Sequence, residues 1–443
     1  MLMIITFCFN KFRKIVEDTL LKKIIKNSGI ILSGNTAASA LNLISFTIMA
    51  KQLGPESLAI LVLAQTYALI FNDLFNIQTW ESMIKFGSVE LKNRSIVNVI
   101  KTNFLLDLIS AIIAFALALV LLRPAAYLLS WDVSYLHIFA LYSFSILFNI
   151  TTFTIGIPRL FDKFLPLAKL QASVGLLKLA FVLYALFFAN SFMIYFYIYL
   201  FADILMNLSI IIYSMGLLRR NYGSHWWKKG FKIDKDQIRF IWWTNLRTIV
   251  RIPVRRFDMV VISSVISIPM VGVYKVYKEL AGILGRLSEP VNQAIFPEFA
   301  KLIGDNQITQ SKDVAKKTIS LLFWVSLMFT TLMLLIAKPV VGLFYGIEYM
   351  SQISAIFMLI IFNGIFFFTT PVNSLFIAAG FARYSFYLVL FSNTIYLLAA
   401  YSLGKLIGIY GIITAFLIQG LINQGLKIYL MKNHSKDWNN IIR

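Results

Sequence analysis

From residue 28 to residue 427 the chain is an almost unbroken succession of apolar stretches, each about 20 residues long and able to cross a hydrocarbon core of roughly 30 Å as a helix. A backbone in lipid has no water to bond, so helices and closed barrels are the architectures open to it. Barrel strands alternate apolar and polar residues, whereas residues 111–122, AIIAFALALVLL, are apolar throughout. The chain therefore reads as an all-α integral membrane protein. Twelve spans are predicted, at 28–50, 58–78, 102–122, 134–157, 166–188, 192–217, 240–263, 272–295, 318–337, 352–377, 385–403 and 407–427. The longest inner connection, 218–239, divides them into two six-helix bundles, 28–217 and 240–431, between an N-terminal segment 1–27 and a tail 432–443.

Such a chain should carry little charge, and only 14% of its residues are charged, yet its net charge is +21. Topology explains most of that excess, because basic residues gather on the cytoplasmic side of membrane spans. With the N-terminus inside, 29 of the 41 Lys and Arg residues fall on inner segments. Only Lys51, Arg123, Lys338 and Lys405 fall on outer ones, which puts both termini in the cytoplasm. Eight remain within the spans: Lys178, Arg247, Arg251, Arg255, Arg256, Lys275, Lys278 and Arg286. Topology does not account for these. A charge at the bilayer centre costs about 2.5–3.5 kcal/mol, so such residues face a protein interior or a wet cavity.

Span seven, with RTIVRIPVRRFD at 247–258, concentrates them. At the helical angle per residue, Arg247, Arg251, Arg255 and Asp258 fall within about 80° of one another, with Arg256 opposite. Pro253 removes a helix hydrogen bond among them. Span eight gathers Lys275, Lys278, Glu279, Arg286 and Glu289 in one wedge, where Lys275 with Glu279 and Arg286 with Glu289 can alternatively serve as structural pairs. Guanidinium groups bind phosphate bidentately and stay charged at physiological pH, so the arginine stripe suits an anionic substrate. Asp73, Asp107 and Asp203, alone in spans two, three and six, are candidate ion-coupling or counter-ion sites together with Asp258, Glu279 and Glu289.

Several chemistries find no support. The single cysteine, Cys8, excludes an intramolecular disulfide, and the three histidines are far apart. No phosphate-binding loop of the Gly-x-x-x-x-Gly-Lys type occurs, so no cofactor is expected, and any energy would come from a gradient, with H⁺ or Na⁺ as the coupling ion. The outer loops are too short for a catalytic domain, which argues against an enzyme of glycan assembly. The burial of basic residues among Leu, Ile and Phe argues against nucleic acid as a partner.

The stretch GNTAASALNLISFTIMAKQLGPESLAILVLAQTY (34–67) resembles the first two helices of the Wzx-type polysaccharide flippases, in the superfamily of the MATE exporters and the lipid II flippase. Ala50, Leu53 and Gly54 match the family's pattern there, while Leu58 and Ala59 stand where a glycine is usual. RFDMVVISSVISIPMVGVYKVYKELAGIL (256–284) resembles the family's Arg-x-Asp helix and the Gly-x-Tyr that begins the next, here Gly272 and Tyr274. FPEFAKL (296–302), GIPRLFDKF (156–164) and GIYGIITAFLIQGL (408–421) are similar to three further segments.

The resemblance implies two six-helix bundles around a cationic cavity in a bacterial inner membrane. It implies translocation of an undecaprenyl-pyrophosphate-linked oligosaccharide, an O-antigen or capsule repeat unit, from the cytoplasmic to the outer leaflet by alternating access. Partners would be the lipid-linked oligosaccharide, membrane lipids, and a polysaccharide polymerase and chain-length regulator. A multidrug exporter of the same fold is the alternative, and a membrane enzyme of the pathway a more distant one.

Overall fold

The computed structural model describes residues 19–90, 96–223 and 234–433, with side chains from residue 38 onward except at 89–90, 164, 247, 289–290, 293–294 and 382. Most of the N-terminal segment 1–27, the centre of the 218–239 connection and nearly all of the tail 432–443 lie outside the described residues. Everything ordered into regular structure among the described residues is helical. Among the described residues eight helices are long and apolar enough to cross a membrane, and a pair at 133–148 and 152–160, bent by 55°, makes a ninth if it is one span. All twelve predicted segments coincide with helical stretches. Two of them share one long helix, and spans seven and eight carry too many charges to stand out as apolar.

The chain forms two compact units, 37–272 and 1–36 together with 273–443. Helix α1, Thr19–Phe75, holds spans one and two and bends at Gly54, whose φ of 70° is open to glycine. Pro55 follows, lacking the N–H that a continuing helix would need. Then come α2 (Trp80–Glu90), α3 (Ile96–Val120), α4 (Leu122–Leu129), α5 (Leu136–Ser143), α6 (Ile157–Leu160), α7 (Phe164–Phe188) and α8 (Phe192–Tyr222). Span seven is made of α9 (Lys235–Ile249), a wide π-turn at Pro253–Phe257 and α10 (Asp258–Val265). The apolar core of this unit is built from Met83, Ile96, Ile100, Ala111, Phe153 and Ile157, all fully or nearly fully buried.

The sequence reading assigns span seven to the second half, whereas residues 235–272 pack in the first unit. The physical reason is a ladder of polar tethers. The Gln237 amide donates to Asn103 at 2.9 Å, and Asn245 accepts the Gln78 N–H at 2.7 Å while donating to the Gln78 carbonyl at 3.3 Å. The Trp131 indole donates to the Ser263 hydroxyl at 3.0 Å.

The second unit holds α11 (Ile268–Gly304) from residue 273 onward, α12 (Ile308–Val340), α13 (Ile353–Phe368), α14 (Thr370–Ala378), α15 (Ala382–Ile407) and α16 (Ile409–Asn433). Its core includes Ile295, Phe299, Phe376, Ala379 and Phe381. The buried Tyr277 hydroxyl donates to the Tyr349 carbonyl at 2.5 Å, and Ser326 donates to the Gly364 carbonyl at 2.7 Å. In lipid such bonds take the place of the hydrophobic drive between helices.

Gly272 opens α11 against the bend of α1, where a Cβ would overlap the Pro55 carbonyl. Because both neighbours are backbone, the clash has no cheap relief. Gly272→Val is expected to lower unfolding stability by about 3 kcal/mol or more, read as a drop in melting temperature in detergent. Gly216→Ala, with open space around it, should melt like the parent.

Candidate functional site

The helices of the first unit are broken where its buried polar residues gather. Residues 76–79 interrupt the chain between α1 and α2, and residues 149–151 precede the π-turn at Thr152–Gly156. A break in a membrane helix leaves backbone groups without partners at high cost. Asp107, fully buried on α3, supplies them: its carboxylate accepts the Thr152 N–H at 2.6 Å and the Thr151 hydroxyl at 3.2 Å. Thr79 donates its N–H to Thr151 at 3.0 Å and shares a hydrogen bond of 2.6 Å with Thr152 through the two hydroxyls. Asn76 donates to the Asn149 carbonyl at 3.0 Å, and Ser110 accepts the Ile77 N–H at 2.9 Å. Asp107 thus caps a helix start from a neighbouring helix.

Asp203, on α8, accepts a hydrogen bond from the buried Tyr142 hydroxyl, which itself accepts from the Gln65 amide at 2.8 Å. Lys178, buried on α7, lies near enough to act on Asp203 electrostatically, and its ammonium sits 3.6 Å from the centroid of the Tyr199 ring. This charge pair, wrapped in hydroxyl, amide and aromatic groups, joins four helices of one unit.

Asp73 pairs with Arg256, its Oδ2 lying 3.3 Å from the arginine Nε. Arg256 is the one span-seven arginine that the helical projection set apart, and it is half-buried in this pair, whereas Asp258, which the projection put on the face of Arg251 and Arg255, is buried for a structural reason. The regular helix stops at Ile249, and the π-turn after Pro253 adds an extra residue per turn, so the angles of residues 251–258 no longer follow from α9. Arg251 and Arg255 are exposed within this unit, while Asp258 is 2% exposed and accepts the Met259 N–H at 2.9 Å at the start of α10. A carboxylate there also meets the positive end of the helix dipole. The side chains of Arg247 and Glu289 lie outside the described residues.

In the other unit Lys275 binds Glu279 at 2.8 Å, the i,i+4 pair anticipated from the sequence, and Glu279 also binds Arg286, two turns further on. One carboxylate therefore serves two cations. Lys278, half-buried beside the Tyr274 ring, leaves this face with more positive than negative charge.

Lys101 on α3 and Lys427 on α16 are also buried, the latter donating to the Asn373 amide oxygen at 2.9 Å. Neither the Tyr142 partner of Asp203 nor the Asn245 clamp carries a sequence signal, because their partners lie 61 and 167 residues away.

An all-helical chain with broken, charge-bearing spans is a multi-pass membrane protein, and its fold is that of the MATE transporters. It superimposes on an inward-facing multidrug resistance MATE family transporter of the MOP superfamily with a TM-score of 0.73 and 17% identity, over 91% of this chain and 96% of that one. A variant of the Vibrio cholerae MATE transporter VcmN gives a TM-score of 0.65 at 13% identity, covering 96% and 99% of the two chains. At such identities the likeness is one of fold. Residues 24–303, well over half the chain, match the model of the polysaccharide biosynthesis protein family, and the chain belongs to that family. The Escherichia coli (strain K12) inner membrane protein YghQ is 23% identical over 341 residues, spanning 75% of this chain and 96% of its own length.

Asp107→Ala would leave the buried Thr152 N–H without its acceptor and is expected to cost about 1–3 kcal/mol, measured by thermal or denaturant unfolding in detergent. Asp236→Ala, which removes an exposed helix-surface pair with Arg239, should change stability by less than about 0.5 kcal/mol.

Proposed function

We propose that this protein translocates undecaprenyl-pyrophosphate-linked oligosaccharide repeat units, of O-antigen or capsule type, from the cytoplasmic to the outer leaflet of a bacterial inner membrane. The observation that carries this reading is the pair of exposed arginines, Arg251 and Arg255, on the broken span seven of a polysaccharide biosynthesis family member. A diphosphate leaving water needs fixed positive charge to offset its dehydration, and a guanidinium supplies it with two aligned donors. Arg247, Lys275, Lys278 and Arg286 extend the positive character of spans seven and eight. Glu279 and Asp258 temper it.

In this reading the sugars and pyrophosphate cross by alternating access while the prenyl tail stays in lipid, and the product passes to a polymerase and chain-length regulator. Both termini face the cytoplasm. An H⁺ or Na⁺ gradient drives the cycle, with Asp73, Asp107 and Asp203 as the candidate coupling carboxylates.

The shared MATE fold favours a second reading, a multidrug exporter. Such a protein handling cationic compounds would be poorly served by exposed arginines, which repel like charge.

The test is complementation of a deletion strain. Arg251→Ala and Arg255→Ala are expected to abolish surface polysaccharide, with lipid-linked single repeat units accumulating on the cytoplasmic side and the protein still in the membrane at normal amount. Normal polysaccharide in both variants would overturn the reading. A deletion that changes drug susceptibility and leaves polysaccharide untouched would favour the exporter.

A further inference from the structure

The ion pair between Asp73 and Arg256 has a place in the first unit that differs from that of the other intramembrane charges. Asp73 lies two residues before α1 ends at Phe75, and the break that follows carries Gln78, the partner of Asn245. The broken end of span two therefore holds span seven twice, at Asn245 through backbone groups and at Arg256 through charge. Between those contacts lie the end of α9, the turn at Val250–Arg251 and the first part of the π-turn, with Pro253 contributing no N–H. A segment with interrupted helical bonding has its orientation set by what holds it from outside. The third tether, Trp131 to Ser263, fixes the far end on α10.

The energetics suit a device that sets direction. The Asp73 side chain is 12% exposed and that of Arg256 31%, so the pair is largely withdrawn from solvent, and removing one partner would strand the other. Asn72 donates to the second Asp73 oxygen at 3.4 Å, which steadies the carboxylate. Arg256 is half-buried in this pair, and Arg251 and Arg255 of the same segment are exposed.

We propose that Asp73 is a positioning residue: its ion pair with Arg256 sets the rotation of the span-seven π-turn and so presents Arg251 and Arg255 as a paired binding surface for a diphosphate-bearing lipid. Arg256 is then an internal anchor and takes no part in holding the cargo. The functional half of this proposal rests on the transport reading above; the geometric half does not.

The experiment uses the full chain in membrane vesicles, with Cys8→Ser removing the native thiol and Arg255→Cys adding a reporter. Labelling of that cysteine by a charged, water-soluble methanethiosulfonate is expected to be fast with Asp73 or Asp73→Glu and slower by about fivefold or more with Asp73→Asn, where the π-turn loses its charged anchor. In parallel, with Arg255 intact, vesicle transport of undecaprenyl-pyrophosphate-linked oligosaccharide by Asp73→Asn should fall about tenfold or more per folded molecule. Asp73→Glu should retain most of that transport.

Identical labelling rates in Asp73→Asn and the parent would overturn the proposal. So would transport that falls only in proportion to the loss of folded, protease-resistant protein. If the parent moves no lipid-linked oligosaccharide at all, the transport reading fails, while the labelling rates still decide whether Asp73 orients span seven.

Discussion

The structure depends on one constraint, that a membrane helix may be interrupted only where another side chain takes up the backbone groups it abandons. The buried Asp107 carboxylate meets that need at the start of the 152–160 segment, with Thr79, Thr151 and Thr152 completing the set. Asn245 does the same for the loop between α1 and α2 by bonding both the N–H and the carbonyl of Gln78. Once these breaks are satisfied, non-helical backbone can exist inside the unit. Span seven can then carry a π-turn at the point where its arginines are densest.

The same constraint sorts the intramembrane charges. Asp107 is bound to backbone, Asp258 sits at a helix start, Asp73 neutralises Arg256, and Glu279 bridges Lys275 and Arg286. Asp203 is held by a tyrosine hydroxyl near a buried lysine. Each of these carboxylates therefore has a structural role, while the side chains of Arg251 and Arg255 are exposed.

The spans were legible because continuous apolar runs of that length have few alternatives in lipid, and the predicted segments are helical apart from short breaks, among them those at 76–78 and 149–150 and the turns beside Pro253 and Gly408. The Lys275–Glu279 pair was legible because four residues bring two side chains onto one helical face. What sequence reasoning missed depends on chain separation or on broken geometry. Arg256 and Asp73 are 183 residues apart, so their pair has no local signal, and the helical angles that put Asp258 beside Arg251 and Arg255 assumed a regularity that the π-turn at Pro253–Phe257 removes. Lys101 and Lys427 lie near span ends, and their burial follows from tertiary packing that no local pattern announces. The affiliation of span seven was likewise invisible, since the Gln237, Asn245 and Ser263 tethers are ordinary polar residues until their partners are known.

The division of the chain falls after Thr36 and after Gly272, and both points lie inside continuous helices, α1 and α11. Neither unit can therefore be cut out of the gene at a loop. A split placed in the long 218–239 connection would separate span seven from the helices that hold its amide and charge tethers. Expression of the halves as separate chains would require them to re-form those bonds across a chain break inside the bilayer. The seam of the protein is written in helices, and the 218–239 connection is a landmark of sequence alone.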